Sequence, residues 1–304
     1  MAELRARPSA WRPAALALLE TLGRTEVEVS DLGGSNLVLS VGDAEVLKLA
    51  PPIYAAPLAI EAEALRALEP FSSASGGSSP CAIPKVLASG TFQEWSYLWM
   101  TRLPGAPILR PQALGERDLA CVARAAGAWL AALHDQPVKV FEHVPDWRAY
   151  LERHVPGAAS RQARWGVPHA IVAEMRARLE HLDLDAVTSG AHALLHADLH
   201  EQNILVDARV RLTGVVDFAD ATVGDPLFDL VTPALLIGRG RKTVVRALFD
   251  GYGSTRLSKI ADPVARLVDY AILHPFNDLT RILRWTGQSA ETLDDLARLM
   301  FPLD

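Results

Sequence analysis

Apolar and polar positions recur along this chain with two different periods, and the change from one to the other divides it. Residues 11–23 carry apolar side chains at helical spacing and predict an amphipathic helix. Alternating runs follow at 26–29, 37–41 and 45–49, broken by turns at Asp31-Leu-Gly-Gly and Gly42-Asp43, and together they predict a β-meander. Pro51-Pro52 ends the third run, since proline supplies no ladder donor. Over 57–68 the period becomes helical again, with Leu58, Glu61, Leu65 and Leu68 on one face. Residues 72–80, mostly serine and glycine, read as a flexible connector, and two further strands are predicted at 85–88 and 96–102.

Beyond Leu103-Pro-Gly-Ala-Pro107 the texture turns helical. Leu119, Val122, Ala126, Leu130 and Leu133 mark one long amphipathic helix ending near His134, which reads as a capping or packed histidine. More helices are predicted at 147–153, 171–182, 227–237, 242–252 and 263–283. The exception is an apolar, β-like island at 194–198, 203–206 and 212–217. These elements predict an α+β chain of two lobes, a β-rich one over 1–103 and a mainly helical one over 104–304.

The length of 304 residues exceeds what one hydrophobic core usually serves, which supports two lobes with a cleft between them. Half of the residues are apolar and 22% are charged, an ordinary globular balance. The net charge of −6 argues against a nucleic-acid partner and is compatible with a cationic ligand. Arg5, Arg7 and Arg12 precede an apolar run at 14–19, but that run is too short for a secretion signal, and no stretch is long enough to cross a membrane. Cys81 and Cys121 are too few for a disulfide framework, so a reducing, cytoplasmic setting is expected. Oligomeric state has no signal in the sequence.

The chemistry concentrates in the β-like island. His196-Ala-Asp198-Leu-His-Glu-Gln-Asn203 is followed, across an apolar hairpin, by Asp217. A carboxylate, an amide five residues on and a second carboxylate across a hairpin are the oxygen groups that orient a hydroxyl and hold magnesium on nucleotide phosphates. His196, Asp198 and His200 also alternate as transition-metal ligands would on a strand, but that reading leaves Asn203 and Asp217 without a purpose. In the N-terminal part, alternation sets Lys48 opposite Leu47 and Leu49. Glu61, on an apolar helix face, requires a cationic partner, for which Lys48 is the candidate. Glu63, one turn before Arg66, is assigned to the outer face.

The segment 196–203, with Asp217-Phe-Ala-Asp-Ala221 and Gly224-Asp-Pro-Leu-Phe-Asp229-Leu, resembles the aminoglycoside phosphotransferase and choline kinase superfamily, distant relatives of protein kinases. The resemblance implies a bilobal protein-kinase-like fold, Asp198 as catalytic base, Asn203 and Asp217 as magnesium ligands, and His196 and Asp229 as braces of the catalytic loop. It implies ATP or GTP as donor, with Lys48 held by Glu61 toward the phosphates. Ser35, in Leu32-Gly-Gly-Ser-Asn-Leu37, would contact the phosphates, and Thr101 and Leu103 would form the hinge that receives the base. Ala197 and Ala219 depart from the pattern, which often has glycine there. The implied acceptor is a small molecule, an aminoglycoside-like antibiotic first, with an amino alcohol, a sugar or another natural product as alternatives. A non-catalytic binding module is a further alternative. Asp262, Asp269, Asp278, Asp294 and Asp295 fall in the helices where related antibiotic kinases take polycations, although each alone reads as a solvated residue.

Overall fold

A computed structural model of the chain describes residues 3, 6–25, 27–33, 37–72 and 79–303. Ser35 and most of the 72–80 connector lie outside the described residues. The first helix, α1 (Pro8–Thr21), leads into β1 (Val29–Asp31), β2 (Leu37–Val41) and β3 (Glu45–Ala50), then α2 (Ala55–Ala67), β4 (Val86–Phe92) and β5 (Trp95–Thr101). The five strands form an antiparallel sheet in the order β1-β2-β3-β5-β4. The first strand starts at Val29, three residues later than its apolar pattern suggests.

Strand alternation decides what each face of this sheet buries. Leu37, Leu39, Leu47, Leu49 and Trp99 point to one side and pack against Trp11, Ala15, Leu18 and Leu19 of α1. Val46, Ala50, Leu98 and Met100 point to the other side and pack with Leu58, Ala62 and Leu65 of α2 in a core that continues into the helical region. Lys48 shares that second, inner face and is 5% exposed.

The remainder comprises β6 (Ala106–Pro107), α3 (Glu116–His134), α4 (Trp147–His154), α5 (Ala158–Trp165), α6 (His169–Glu180), α7 (Leu184–Thr188), β7 (Ala193–Leu195), β8 (Ile204–Val206), β9 (Leu212–Val215) and β10 (Thr222–Gly224). Then come α8 (Phe228–Pro233), α9 (Lys242–Tyr252), α10 (Ser254–Leu257), α11 (Pro263–Leu273), α12 (Thr280–Thr286) and α13 (Leu293–Met300). The β-like island becomes two small antiparallel sheets, β6-β8-β9 and β7-β10. This is the α+β division expected, a β-sheet N-terminal region and a helical C-terminal one.

Two helices differ from their periodicity. The stretch 227–237 is α-helical only to Pro233 and then widens into a π-turn over Ala234–Gly238. The stretch 263–283 is broken between Leu273 and Thr280, because Pro275 drives the residue before it, His274, into an extended conformation (ψ 125°). Among the described residues no helix is long and apolar enough to cross a membrane.

Helices α3 and α9 cross through two glycines. A Cβ at Gly127 would lie 2.0 Å from the Leu248 carbonyl oxygen, and one at Gly251 would lie 2.0 Å from that of Arg124. Backbone cannot yield as a side-chain tip does, so Gly127→Ala should cost about 3 kcal/mol or more, read as a lower urea midpoint. An unchanged midpoint would mean that the helices separate freely.

Candidate active site

The hairpin β8–β9 delivers two of the polar groups singled out in the sequence to one place. Asn203 precedes β8 and Asp217 follows β9 by two residues, and the Val216 amide donates to the Asn203 carbonyl (3.0 Å), closing the hairpin mouth. The buried pair Ile204 and Val215 holds that mouth from below. Asn203 Nδ2 donates to the Asp198 carbonyl (2.9 Å), so its side-chain oxygen is the atom left to offer a ligand. Asp217 adopts φ +69°, an uncommon backbone state for a residue with a side chain.

The sheet and α2 deliver the third component. Lys48 Nζ donates to both carboxylate oxygens of Glu61 (2.8 and 2.6 Å) and to Asp217 Oδ1 (2.7 Å), which uses all three of its protons. The Glu61 side chain is 0% exposed and that of Asp217 is 32% exposed, so the ammonium bridges a closed acid and an open one. Burial works against the charged lysine, but the charges of Asp217 and Glu61 outweigh it and hold its pKa above the ordinary value. Burial pushes Glu61 up against the pull of Lys48. For Asp217 burial also opposes ionisation, and the charge and hydrogen bond of Lys48 prevail, holding it below the usual carboxylate range.

Asp198 sits in a turn framed from behind by Asp229 of α8. The Asp229 carboxylate accepts the amides of His196 (2.8 Å) and Ala197 (2.6 Å) and lies 3.1 Å from His134 Nε2, whose other ring nitrogen meets the Tyr252 hydroxyl at 3.1 Å. His134 is therefore part of this frame rather than only a packed helix end. The Asp198 amide donates to His196 Nδ1 (3.3 Å), which places the His196 proton on Nε2, facing the Val216 carbonyl (3.0 Å). Ala197 has φ +63°, a conformation that costs an alanine about 1–2 kcal/mol and a glycine nothing, and this explains why glycine suits that position. Burial, followed by the charges of Asp220, Asp217, Glu201 and Asp229, pushes Asp198 up to about 9.

The alternating transition-metal reading does not fit. Strand β7 stops at Leu195, before the three residues, and His196 is spent on backbone groups. The described residues contain no group of three or more His, Cys, Asp or Glu side chains placed to hold a metal. An amide oxygen and carboxylate oxygens are instead the hard donors that suit magnesium.

Residues 26–267 match the model of the phosphotransferase enzyme family. The chain belongs to that family. It is 31% identical over 215 residues to viomycin phosphotransferase of Streptomyces vinaceus, covering 66% of this chain and 70% of that protein. It is also 30% identical over 86 residues to the uncharacterised protein YcbJ of Bacillus subtilis, a match of 28% of each chain, so it spans well under half of that relative. Among solved structures, a GDP and kanamycin complex of an aminoglycoside phosphotransferase superposes with a TM-score of 0.65 at 18% identity, covering 95% of this chain and 96% of that one. The macrolide 2'-phosphotransferase of Brachybacterium faecium gives 0.56 at 21%, covering 96% and 99%. The fold is thus the kinase-like one of these phosphotransferases.

The family match takes in Lys48, Glu61, Asp198, Asn203, Asp217 and Asp229, and the structure links the first five: Lys48 bonds Glu61 and Asp217, Asn203 bonds the Asp198 carbonyl, and Val216, next to Asp217, bonds Asn203. Thr101 ends β5, where its hydroxyl accepts the Lys85 amide (2.9 Å), and Leu103 packs over Gly214. Glu63 is not on an outer face. Its carboxylate accepts the amides of Glu142 (2.6 Å), His143 (2.7 Å) and Val144 (3.0 Å), fastening α2 to the segment that leads into α4. Three backbone donors leave no side-chain signature, so nothing in the sequence distinguished this from an Arg66 pair. Four of the five acids of the C-terminal helices are engaged in structure, and the fifth, Asp294, is exposed: Asp262 caps α11, Asp269 pairs with Arg178, Asp278 with Arg284, and Asp295 completes a capping box with Thr292.

Lys48→Met leaves Glu61 and Asp217 facing each other without a cation, whereas Glu61→Gln leaves Lys48 paired with Asp217. The first should cost about 3–5 kcal/mol and the second distinctly less, measured by urea unfolding. Equal losses would count against a bridging ammonium.

Proposed function

We infer that this phosphotransferase is a magnesium-dependent kinase of a small molecule, moving the γ-phosphoryl group of ATP or GTP to an acceptor hydroxyl. The observation that carries the reading is the convergence of Asp198, Asn203 and Asp217 at the mouth of one hairpin, with a lysine already committed to a buried glutamate. Residues 1–103 act as the nucleotide lobe and 104–304 as the catalytic and acceptor lobe.

In this reading the Asp198 carboxylate orients the acceptor hydroxyl and takes its proton as the oxygen bonds to the γ-phosphorus. The bond from that phosphorus to the bridging oxygen breaks, and a nucleoside diphosphate leaves. Lys48 turns from Asp217 toward the α- and β-phosphates while Glu61 keeps its orientation. Asn203 and Asp217 would hold magnesium, which would supply charge neutralisation on the phosphates. Thr101 and Leu103 form the hinge for the base, and Ser35 meets the phosphates. Related proteins act on viomycin and macrolides, and one relative is seen with GDP and kanamycin, which favours an antibiotic acceptor of aminoglycoside type. An amino alcohol, a sugar or another natural product is the alternative. The two free cysteines, Cys81 and Cys121, accord with a cytoplasmic setting.

Nucleotide consumption with ATP and GTP, over a panel of antibiotics and amino alcohols, tests this. Turnover should require acceptor and magnesium, stop on chelation, and fall about 10²–10⁴-fold in Asp198→Ala. A wild-type protein that binds no nucleotide would sink the reading.

The raised Asp198 pKa makes a second expectation. An acid whose folded pKa is raised lowers stability as pH climbs from its ordinary value near 4 toward about 9, since the folded state gives up its proton with more difficulty than the unfolded one. Asp198→Asn should therefore be inactive yet have a higher Tm than the wild type, by about 2–4 °C for each kcal/mol relieved, with the gap widening from pH 5 to pH 9. A gap that stays constant with pH would show that Asp198 ionises freely.

A further inference from the structure

Helix α11 stops at Leu273, and His274 turns back beneath the catalytic loop, where it is 0% exposed. The Phe276 amide approaches its Nδ1 at 3.3 Å. An amide N–H can only donate, so Nδ1 is the acceptor and the ring proton sits on Nε2. That Nε2 is 2.7 Å from the Ala197 carbonyl oxygen and 3.0 Å from Thr232 Oγ1. The ring stacks on Phe228 at 5.0 Å, and Arg161 of α5 donates to the Leu273 carbonyl (2.7 Å), fixing the helix end that carries the histidine. Burial lowers the His274 pKa to about 4, which keeps the ring neutral near neutral pH.

We propose that His274 is a positioning residue for phosphoryl transfer: its Nε2–H holds the Ala197 carbonyl and so fixes the left-handed backbone that aims Asp198. Ala197 is gripped at both ends, its amide by Asp229 and its carbonyl by His274. Without the second grip the carbonyl loses a partner, and the peptide is free to relax toward negative φ, which turns the Asp198 carboxylate. His274 lies beyond residue 267, where the family match ends. The proposal rests on the reading of Asp198 as the group that orients the hydroxyl.

The test compares the full chain with His274→Leu, which has no donor, and His274→Gln, which keeps an N–H at the reach of Nε2. With magnesium, nucleotide and the best acceptor, kcat should fall about ten- to a hundred-fold in His274→Leu while the nucleotide KM stays close to wild type, and the unpartnered Ala197 carbonyl should lower Tm by a few degrees. His274→Gln should recover most of kcat. An unchanged kcat in His274→Leu, or a loss matched by weaker nucleotide binding and not restored by glutamine, overturns the proposal. If the leucine variant does not fold, His274→Gln decides alone: kcat near wild type supports the role, and a loss as deep as that of Asp198→Asn ends it. Nitrogen-15 NMR of the wild-type imidazole is independent of turnover. A proton on Nε2 at neutral pH is expected, and one on Nδ1 refutes the contact even if no acceptor is found and the phosphotransferase reading itself fails.

Discussion

One ammonium group joins the parts of this protein that chemistry requires to be together. Lys48 reaches from β3 to Glu61, 13 residues away on α2, and to Asp217, 169 residues away after β9. Lys48 and Glu61 are buried and neither charge is tolerable alone there, because each ion loses its hydration and only its partners return the energy, while Asp217 meets the ammonium from the open side. The sheet, its helix and the C-terminal hairpin are therefore held in one relative placement by electrostatics as well as by packing. Glu63 adds a second fastening of the same helix, to the segment 142–144. With both acids engaged, α2 is fixed to the sheet on one side and to the helical region on the other.

A second carboxylate, Asp229, does for the turn at 196–198 what Lys48 does for the sheet and the hairpin. It receives two consecutive backbone amides and faces His134, and in doing so stabilises a turn in which Ala197 takes a conformation alanine avoids. Strain of this kind persists only where the surroundings over-determine it. Here Asp229 fixes one side of the peptide and the β8–β9 mouth fixes the other, through Asn203 on the Asp198 carbonyl.

The sequence made parts of this site legible for identifiable reasons. The pair of Lys48 and Glu61 is legible because helical spacing leaves Glu61 on an apolar face, where it must find a cation, and alternation offers Lys48 on the strand face away from Leu47 and Leu49. The acids and amide of 198–217 were legible from spacing around an apolar hairpin. Glu63 was not, since its partners are backbone amides, and the connection of His134 to Asp229 spans 95 residues with no local pattern. The break at Pro275 was written in the sequence, but the apolar period of 263–283 runs through it and hid it; the structure follows the proline. Asp262, Asp269, Asp278 and Asp295 show the opposite case, where residues that read as solvated or substrate-facing are occupied as caps and ion pairs.

The charge balance of the cleft carries one more step. Lys48 offsets one of the two acids it touches, and Arg239 stands 3.4 Å from Glu201, but among the described residues Asp198 has no cation within salt-bridge distance apart from what a protonated His200 at 3.6 Å would offer. Burial holds His200 toward its neutral form, so that contact adds little positive charge. The site as folded therefore has more negative charge than its own side chains neutralise, and this repulsion adds to burial, the larger cause, in making Asp198 hold its proton more tightly. A cation arriving beside Asp198 would relieve the repulsive part of that shift and leave the part due to burial. The frame of Lys48, Asp229 and their partners is what lets the fold sustain that unneutralised charge.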